Sequence, residues 1–270
     1  MISSSSNNRI KRLVALGKKA KFRTEEGVFL VEGEKMLREA PREWIREIYF
    51  SETFFNKRKE FIQKIVRESV NIMEKELLAD EVFQKVSDTQ TPQGVLGVLS
   101  MPQYTWEEYM ANWSSMQSKA PLLLLLEDLQ DPGNLGTILR AGEGAGVSGI
   151  VMTRNTVDLF NPKTIRSTMG SIYRMPFFVT QDLGNTIELL KENDICVYAA
   201  HLDDSVNYDV PDYTRPTAFL IGNEGNGLNR ATADKATQYV KIPMEGQVES
   251  LNGAVATAIL IYEAARQRRQ

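Results

Sequence analysis

Five leucines in succession, Leu122 to Leu126, run without a polar break into Glu127, Asp128, Asp131, Pro132, Gly133 and Asn134. A strand that is apolar at every position has no face to give to water. It belongs inside a sheet covered on both sides, and such sheets are mainly parallel and flanked by helices. The C-terminal half keeps this pattern. GIVMT, FFVT, ICVYAAH, AFLIG and YVKIP follow as short apolar runs, separated by helical stretches at 134–146, from Asn161-Pro162, at 182–193, at 228–236 and from about 252. A mainly parallel α/β sheet over 121–270 is the expectation.

The first half alternates as well, with strands predicted at 28–33, 45–51, 70–74 and 94–99 and helices at 34–40, 56–69 and 76–86. This describes a smaller α/β domain over 1–103. Between the two, PQYTWEEYMANWSSMQSKAP has prolines at both ends and a serine-rich second half, so 104–120 reads as a linker holding a short helix.

Composition narrows the function classes. With 42% apolar and 25% charged residues the chain has ample core and is not disordered. No apolar run approaches the ~20 residues of a membrane-spanning helix, and MISSSSNNRIKRL lacks the apolar centre of a secretory signal, so a cytoplasmic protein without membrane association is expected. A single cysteine, Cys196, and a single histidine, His201, leave no disulfide and no zinc set, and no metal is expected. Both lie in or beside ICVYAAHL and read as packed or rim positions of a strand. Neither a P-loop nor a dinucleotide fingerprint is present; the glycines of GEGAG at 142–146 end a helix and read as packing positions. Net charge is −3, yet Arg9, Lys11, Arg12, Lys18, Lys19, Lys21 and Arg23 precede the first acid, Glu25. Such a run is either a phosphate-binding patch or a solvated amphipathic helix.

Ligands of open parallel sheets sit beyond the carboxyl ends of the strands, which nominates the loops 127–134, 222–227 and 243–252. In the first, Asn134 is expected to cap the helix. Arg140 falls about 140° from Leu135 on that helix at ~100° per residue, off the apolar stripe, with Glu143 beside it. It is either an exposed arginine paired with Glu143 or a site residue. The second loop, IGNEGNGL, is glycine-rich and holds one acid, Glu224. In the third, Ser250 or Asn252 can cap the last helix, and Leu251 between them is an apolar group at a polar helix mouth.

Taken together, DPGNLGTILR at 131–140, IGNEGNGL at 221–228 and IPMEGQVESLN at 242–252 resemble the three motifs of the SpoU/TrmH family of RNA 2′-O-ribose methyltransferases. LFNPKTIRSTMGSIYRMPF between them resembles a family segment. FLVEGEKMLREA and SDTQTPQGVLGVL resemble the substrate-binding domain that precedes the catalytic domain in many members. The resemblance implies a SPOUT parallel sheet with a trefoil knot in the C-terminal domain and an L30e-like α/β domain at the N-terminus. It implies S-adenosyl-L-methionine as cofactor, held by Leu220, Ile221, Gly222, Ile242, Pro243, Met244, Leu251 and Asn252. It gives catalytic positions to Arg140, Asn134, Glu224, Ser250 and Asn252, and RNA contacts to Lys11, Arg12, Lys18, Lys19, Lys21 and Arg23. A homodimer through the C-terminal domain is implied, with Arg140 serving either as a base assisted by an RNA phosphate or as a phosphate clamp. The implied reaction is 2′-O-methylation of a ribose in ribosomal RNA of the 23S type. The alternatives are a transfer-RNA ribose methyltransferase and a catalytically silent RNA-binding ribosome-assembly protein. Gly253-Ala254 departs from the Val-Ser that the family often carries there, so the last helix is expected to begin one residue later.

Overall fold

A computed structural model describes residues 1–69, 71–114, 120–202, 204–248 and 250–269. Val70 of the predicted strand, residues 115–119 of the segment read as a linker and Glu249 of the third loop lie outside the described residues. The chain forms two compact units, Met1–Gln103 with Asp158–Tyr173, and Tyr104–Val157 with Arg174–Gln270. In chain order the first contains α1 (Asn8–Lys18), α2 (Ala20–Glu26), β1 (Val28–Glu32), α3 (Glu34–Glu39), β2 (Ile45–Ser51), α4 (Glu52–Lys57), α5 (Lys59–Glu68), β3 (Glu74–Leu78), α6 (Asp80–Val86) and β4 (Val95–Ser100). Then come α7 (Trp106–Ser114), β5 (Leu122–Leu126), α8 (Pro132–Ala145), β6 (Gly149–Thr153) and α9 (Pro162–Thr168), of which α9 belongs to the first unit. The chain ends with β7 (Phe177–Thr180), α10 (Leu183–Glu192), β8 (Cys196–Ala200), β9 (Val206–Asn207), β10 (Thr217–Ile221), α11 (Arg230–Ala233), β11 (Gln238–Lys241) and α12 (Gly253–Gln267).

The first unit is built on a four-stranded sheet of order β1-β4-β2-β3. β4 runs antiparallel to β1 and β2, and β3 runs parallel to β2. α1 is capped by Asn7, whose side chain accepts from Arg9 N at 2.9 Å, and it buries the stripe Ile10, Leu13 and Leu16. Three predicted elements differ. MEKELL is rich in helix formers, but residues 74–78 pair with β2 from Glu47 opposite Glu74 to Ser51 opposite Leu78, so the strand comes later and α6 starts only at Asp80. Sheet pairing overrides local propensity there. The single helix expected at 56–69 is two, broken at Arg58 with ψ 37°.

The stretch 158–173, which lies among second-unit elements in sequence, packs in the first unit. Arg23 of α2 is 2% exposed, and its Nε donates to the Asp158 carboxylate at 3.0 Å while Nη2 donates to the same oxygen. Its Nη1 donates to the carbonyl of Leu16 at 2.5 Å. The Phe160 ring meets Phe29 with centroids 4.8 Å apart. Arg23, expected among the RNA-facing cations, is therefore an interior residue with its guanidinium engaged. The nearby Lys18, Lys19 and Lys21 are exposed, and nothing in the spacing of the basic run reveals that this one position faces inward.

The second unit is a seven-stranded sheet of order β7-β6-β5-β10-β8-β11-β9, parallel throughout. Leu122 to Leu126 are at most 1% exposed and pair with β10, from Leu122 opposite Thr217 to Leu126 opposite Ile221. The chain leaves β5 toward β6 and β7 on one side, and β10 later takes the other side, between β5 and β8. The carboxyl ends of β5 and β10 thus flank the crevice where order reverses, the favoured ligand position in such sheets. α8 packs on α12, and at Gly144 a Cβ would come within 2.9 Å of the Tyr262 hydroxyl. Gly146, at φ 81°, ends α8 in the left-handed conformation. GEGAG is thus a packing and capping run. The segment read as a linker carries α7, and its Tyr109 is fully buried against Gly149, with the Tyr104 ring 5.5 Å from Phe177. The helix expected at 228–236 shrinks to α11.

Removing the Asp158 carboxylate leaves the Arg23 charge buried without its partner. Asp158→Ala should cost about 3 kcal/mol and lower the urea midpoint of the chain. An unchanged midpoint would mean the pair does not hold the segment in place.

Candidate functional site

The three nominated loops meet at the carboxyl ends of β5, β10 and β11. The first leaves β5 through Asp128, at φ 54°, whose N–H donates to Thr153 Oγ1 at 2.9 Å. Asp131 caps α8 by accepting from Asn134 N at 2.8 Å, and Pro132 occupies the first helical position, where its missing N–H costs nothing. Asn134 is therefore not the cap that the sequence suggested. It lies one turn into the helix, so its side chain is available elsewhere. Its Nδ2 donates to Glu224 Oε1 at 2.9 Å and its Oδ1 accepts from Asn252 Nδ2 at 3.0 Å.

Glu224 sits on a hairpin closed by reciprocal backbone bonds between Asn223 and Gly227, of 3.0 and 2.9 Å. Gly222 tolerates no side chain, since a Cβ there would come within 2.4 Å of the Gly227 backbone. Besides Asn134, the Glu224 carboxylate accepts from Gln130 N at 3.0 Å and Asp131 N at 3.2 Å. Asn252 caps α12, accepting from Ala254 N at 2.9 Å and Val255 N at 3.3 Å. The helix starts at Gly253 directly after this cap, not a residue later, because the cap bonds satisfy the first-turn donors and offset the glycine's low propensity. One chain of hydrogen bonds, Asn252 to Asn134 to Glu224, thus links all three loops.

Sequence reasoning missed two residues that hold this arrangement. Glu127, 9% exposed, accepts from Asn229 N at 2.7 Å and from Thr232 Oγ1 at 2.6 Å, anchoring the far end of the glycine-rich loop. Asp128 accepts from Asn223 Nδ2 through its carbonyl at 2.7 Å. The available signal was an acid following five leucines, a carboxylate forced close to the core that must find donors.

Two adjoining cavities share Glu224, Leu251 and Gly253. The first, about 430 Å³, is lined by Gly222, Ile242, Met244, Ser250 and Leu251, and also by His201 and Lys241, which the sequence did not nominate for it. Its size and its mixture of apolar side chains with loop backbone suit a small organic cofactor with a flat apolar part, and Leu251 is the apolar group at the helix mouth. The second, about 440 Å³, is lined by the polar side chains of Gln130, Asp131, Asn134, Glu224 and Asn252 together with Leu251 and Gly253. Among the expected cofactor residues, Leu220 and Ile221 are buried in β10 at 0% and 3% exposure, so only their main chain can face a ligand. Pro243 is exposed in the third loop, and Asn252 lines the second cavity rather than the first.

Arg140 lines neither cavity. It is exposed on α8 and makes no hydrogen bond or ion pair among the described residues. The Glu143 pairing considered for it does not form, because Glu143 is bound by Arg174, with one bond of 3.2 Å. Lys11 and Lys18 of α1, Lys19 between the helices and Lys21 of α2 are exposed, whereas Arg12 is held by Glu26 at 2.7 Å and Glu47 at 2.9 Å. Among the described residues no group of three His, Cys, Asp or Glu side chains could hold a metal ion, and no helix is long and apolar enough to cross a membrane.

Burial pushes the Glu224 carboxyl up, but the hydrogen bonds from Asn134, Gln130 and Asp131 outweigh it and leave it below the ordinary glutamate value of 4.5. A group with a folded-state pKa below its unfolded one stabilises the fold above the unfolded value and loses that contribution as pH falls through the folded value. Glu224→Gln replaces one acceptor oxygen by a donor that faces other donors. Its Tm deficit against wild type should be full at neutral pH and close below pH 4.5; a deficit constant from pH 7 to 3 would show that the charge is not what ties the loops.

The SpoU rRNA Methylase family model matches residues 121–262, and that of the MRM3-like substrate binding domain matches residues 7–97. The chain is 34% identical over 263 residues to the 23S rRNA (guanosine(2553)-2′-O)-methyltransferase RlmP of Bacillus subtilis (strain 168), covering 97% of each. The AdoMet-bound rRNA methyltransferase from Sinorhizobium meliloti superposes with a TM-score of 0.85 at 28% identity, over 98% of this chain and 97% of that one. The SpoU methyltransferase AviRb from Streptomyces viridochromogenes, in complex with AdoMet, gives 0.84 at 25% identity over 98% and 99%. The resemblance carried by the three loops is thus a family relation over nearly the whole length, and this chain belongs to the SpoU rRNA methylase family.

Proposed function

We propose that this chain methylates the 2′-hydroxyl of a ribose in RNA, using S-adenosylmethionine, with ribosomal RNA of the 23S type as substrate. The observation that carries the reading is the Asn252, Asn134 and Glu224 hydrogen-bond chain standing where an apolar-walled cavity adjoins a polar one. The relative RlmP and the AdoMet-bound relatives support the reaction and the cofactor. S-adenosylmethionine supplies an electrophilic methyl group on a sulfonium. Gly222, Ile242, Met244 and Leu251 hold it, with the main chain of Leu220 and Ile221 and the loop at Pro243 completing the rim. The nucleotide occupies the polar cavity, where Asn134 and Asn252 orient the ribose, Ser250 supports the loop, and Glu224 keeps Asn134 in place.

A ribose hydroxyl is a weak acid, so as its oxygen takes the methyl group its proton would pass to an RNA phosphate oxygen or to water, while the carbon–sulfur bond would break with its electrons left on sulfur as a thioether. Arg140 clamps an adjacent phosphate and aims the hydroxyl, a task that suits a planar guanidinium whose fork of donors matches phosphate oxygens. Because Arg140 lines neither cavity of its own chain, its place in the reaction is across a homodimer of second units, at the partner's site. In this reading the loops after β10 and β11 are threaded as a trefoil knot and the first unit is an L30e-like domain. Lys11, Lys18, Lys19 and Lys21 face RNA, and the compartment is the cytoplasm, where ribosomal RNA is met.

Incubation with labelled S-adenosylmethionine and 23S rRNA should give a methylated linkage that resists alkaline cleavage, which needs a free 2′-hydroxyl. Arg140→Ala should reduce transfer by at least a hundredfold and leave cofactor affinity unchanged; near-normal transfer would remove Arg140 from the mechanism. Lys18→Glu with Lys19→Glu should weaken RNA binding and flatten its salt dependence by about one unit per lost phosphate contact.

A further inference from the structure

The first unit has a second basic surface that the sequence reading did not single out. A cleft of about 510 Å³ is lined by Arg38 of α3, Arg42 of the turn that follows it, Lys57, Arg58 and Lys59 at the joint of α4 with α5, and Lys64 of α5. Three acids share it, Glu34, Glu60 and Glu68, so six cations face three carboxylates in a chain whose net charge is −3. The acids are divided between cations rather than matched to them. Glu34 lies between Arg38 and Arg58, 3.2 Å from the latter, and Glu68 lies between Arg42 at 3.3 Å and Lys64 at 4.0 Å. Lys57 and Lys59 make no ion pair among the described residues and are exposed. An adjoining cavity of about 640 Å³, which shares Arg38 and Arg58, adds Lys35.

Lys59 is the first residue of α5, where the macrodipole disfavours cations and no side chain caps the end, whereas Lys57 and Arg58 close α4, where it favours them. Mutual repulsion among six cations, of which Lys57 and Lys59 have no ion pair among the described residues, leaves the cluster in want of negative charge from outside. The arginines of the N-terminal helices differ: Arg9 is bound by Glu74 and Glu76, Arg12 by Glu26 and Glu47, and Arg23 by Asp158. Their charge is already answered within the chain. In the cleft, Arg38 lies over the Phe61 ring at 5.9 Å, which holds its guanidinium plane at the mouth without neutralising it.

We infer that the cleft between α3 and the α4–α5 joint docks the phosphate backbone of the RNA substrate. The choice of RNA as the polyanion rests on the proposed methyltransferase activity; the unanswered charge does not. The test uses the full chain carrying Lys57→Gln and Lys59→Gln, both exposed and outside the reaction site. Binding of a 23S rRNA transcript is measured against salt concentration, alongside binding of polyglutamate. Affinity for the transcript should fall about tenfold or more and the log–log salt slope should shrink by about 1.5 for two lost contacts. KM for the transcript should rise while kcat and S-adenosylmethionine affinity stay unchanged. Wild-type affinity and slope in the variant would overturn the inference, and so would polyglutamate binding as tightly as the transcript, which would mark a site for an acidic protein. If wild type methylates RNA but the variant binds normally, the cleft alone is wrong. If wild type transfers no methyl to any RNA, the proposed function falls while the salt slope still reports on the cleft.

Discussion

The Glu224 carboxylate is the interaction on which the site depends. It accepts the main-chain N–H groups of Gln130 and Asp131 and the side-chain amide of Asn134. These donors belong to the loop after β5, while Glu224 belongs to the loop after β10, so one charged acceptor fixes two crossing points of a parallel sheet. Charge-assisted bonds of this kind are the stronger ones, and here they hold glycine-rich backbone that would otherwise have many accessible conformations.

The same residues begin the helices and build the cavities. Asp131 caps α8 and lines the polar cavity; Asn252 caps α12 and passes a hydrogen bond to Asn134. Helix starts present donors in any case, and side chains that satisfy them are held in one rotamer by the cap itself. A functional group mounted on a cap is therefore positioned with little further ordering cost, which suits a reaction that depends on alignment.

Charge in this protein is organised by pairing rather than by count. The run from Arg9 to Arg23 looks uniformly basic in one dimension, but its three arginines reach acids on other elements and its lysines remain outside. The reverse holds around α5, where a run of mixed sign, KRKEFIQK, folds so that its cations crowd one cleft with Arg38 and Arg42 while Glu34 and Glu68 each serve two cations. Net charge along the chain is a poor guide to which surface is electropositive, since the sign of a patch is set by which side chains the fold brings within a few ångströms.

Much was legible in the residues alone. The unbroken Leu122 to Leu126 required a covered parallel sheet, because no face of it could meet water, and the three Gly/Asn loops beyond the strand ends carried enough pattern to assign the family. Pairing decided the rest. The helix-forming residues 74–78 became a strand through their register with β2, Asn134 gave up the cap to Asp131 and turned to Glu224, Arg23 went inside to meet an aspartate 135 positions away, and Arg140 stood clear of both cavities. Sequence by itself determined what was apolar enough to be buried and which loops had the chemistry of a site, since hydrophobicity and local turn propensity are properties of short stretches. Only the tertiary structure decided which polar group answers which, because a hydrogen bond or ion pair depends on distances of about 3 Å that distant parts of the chain must supply to one another.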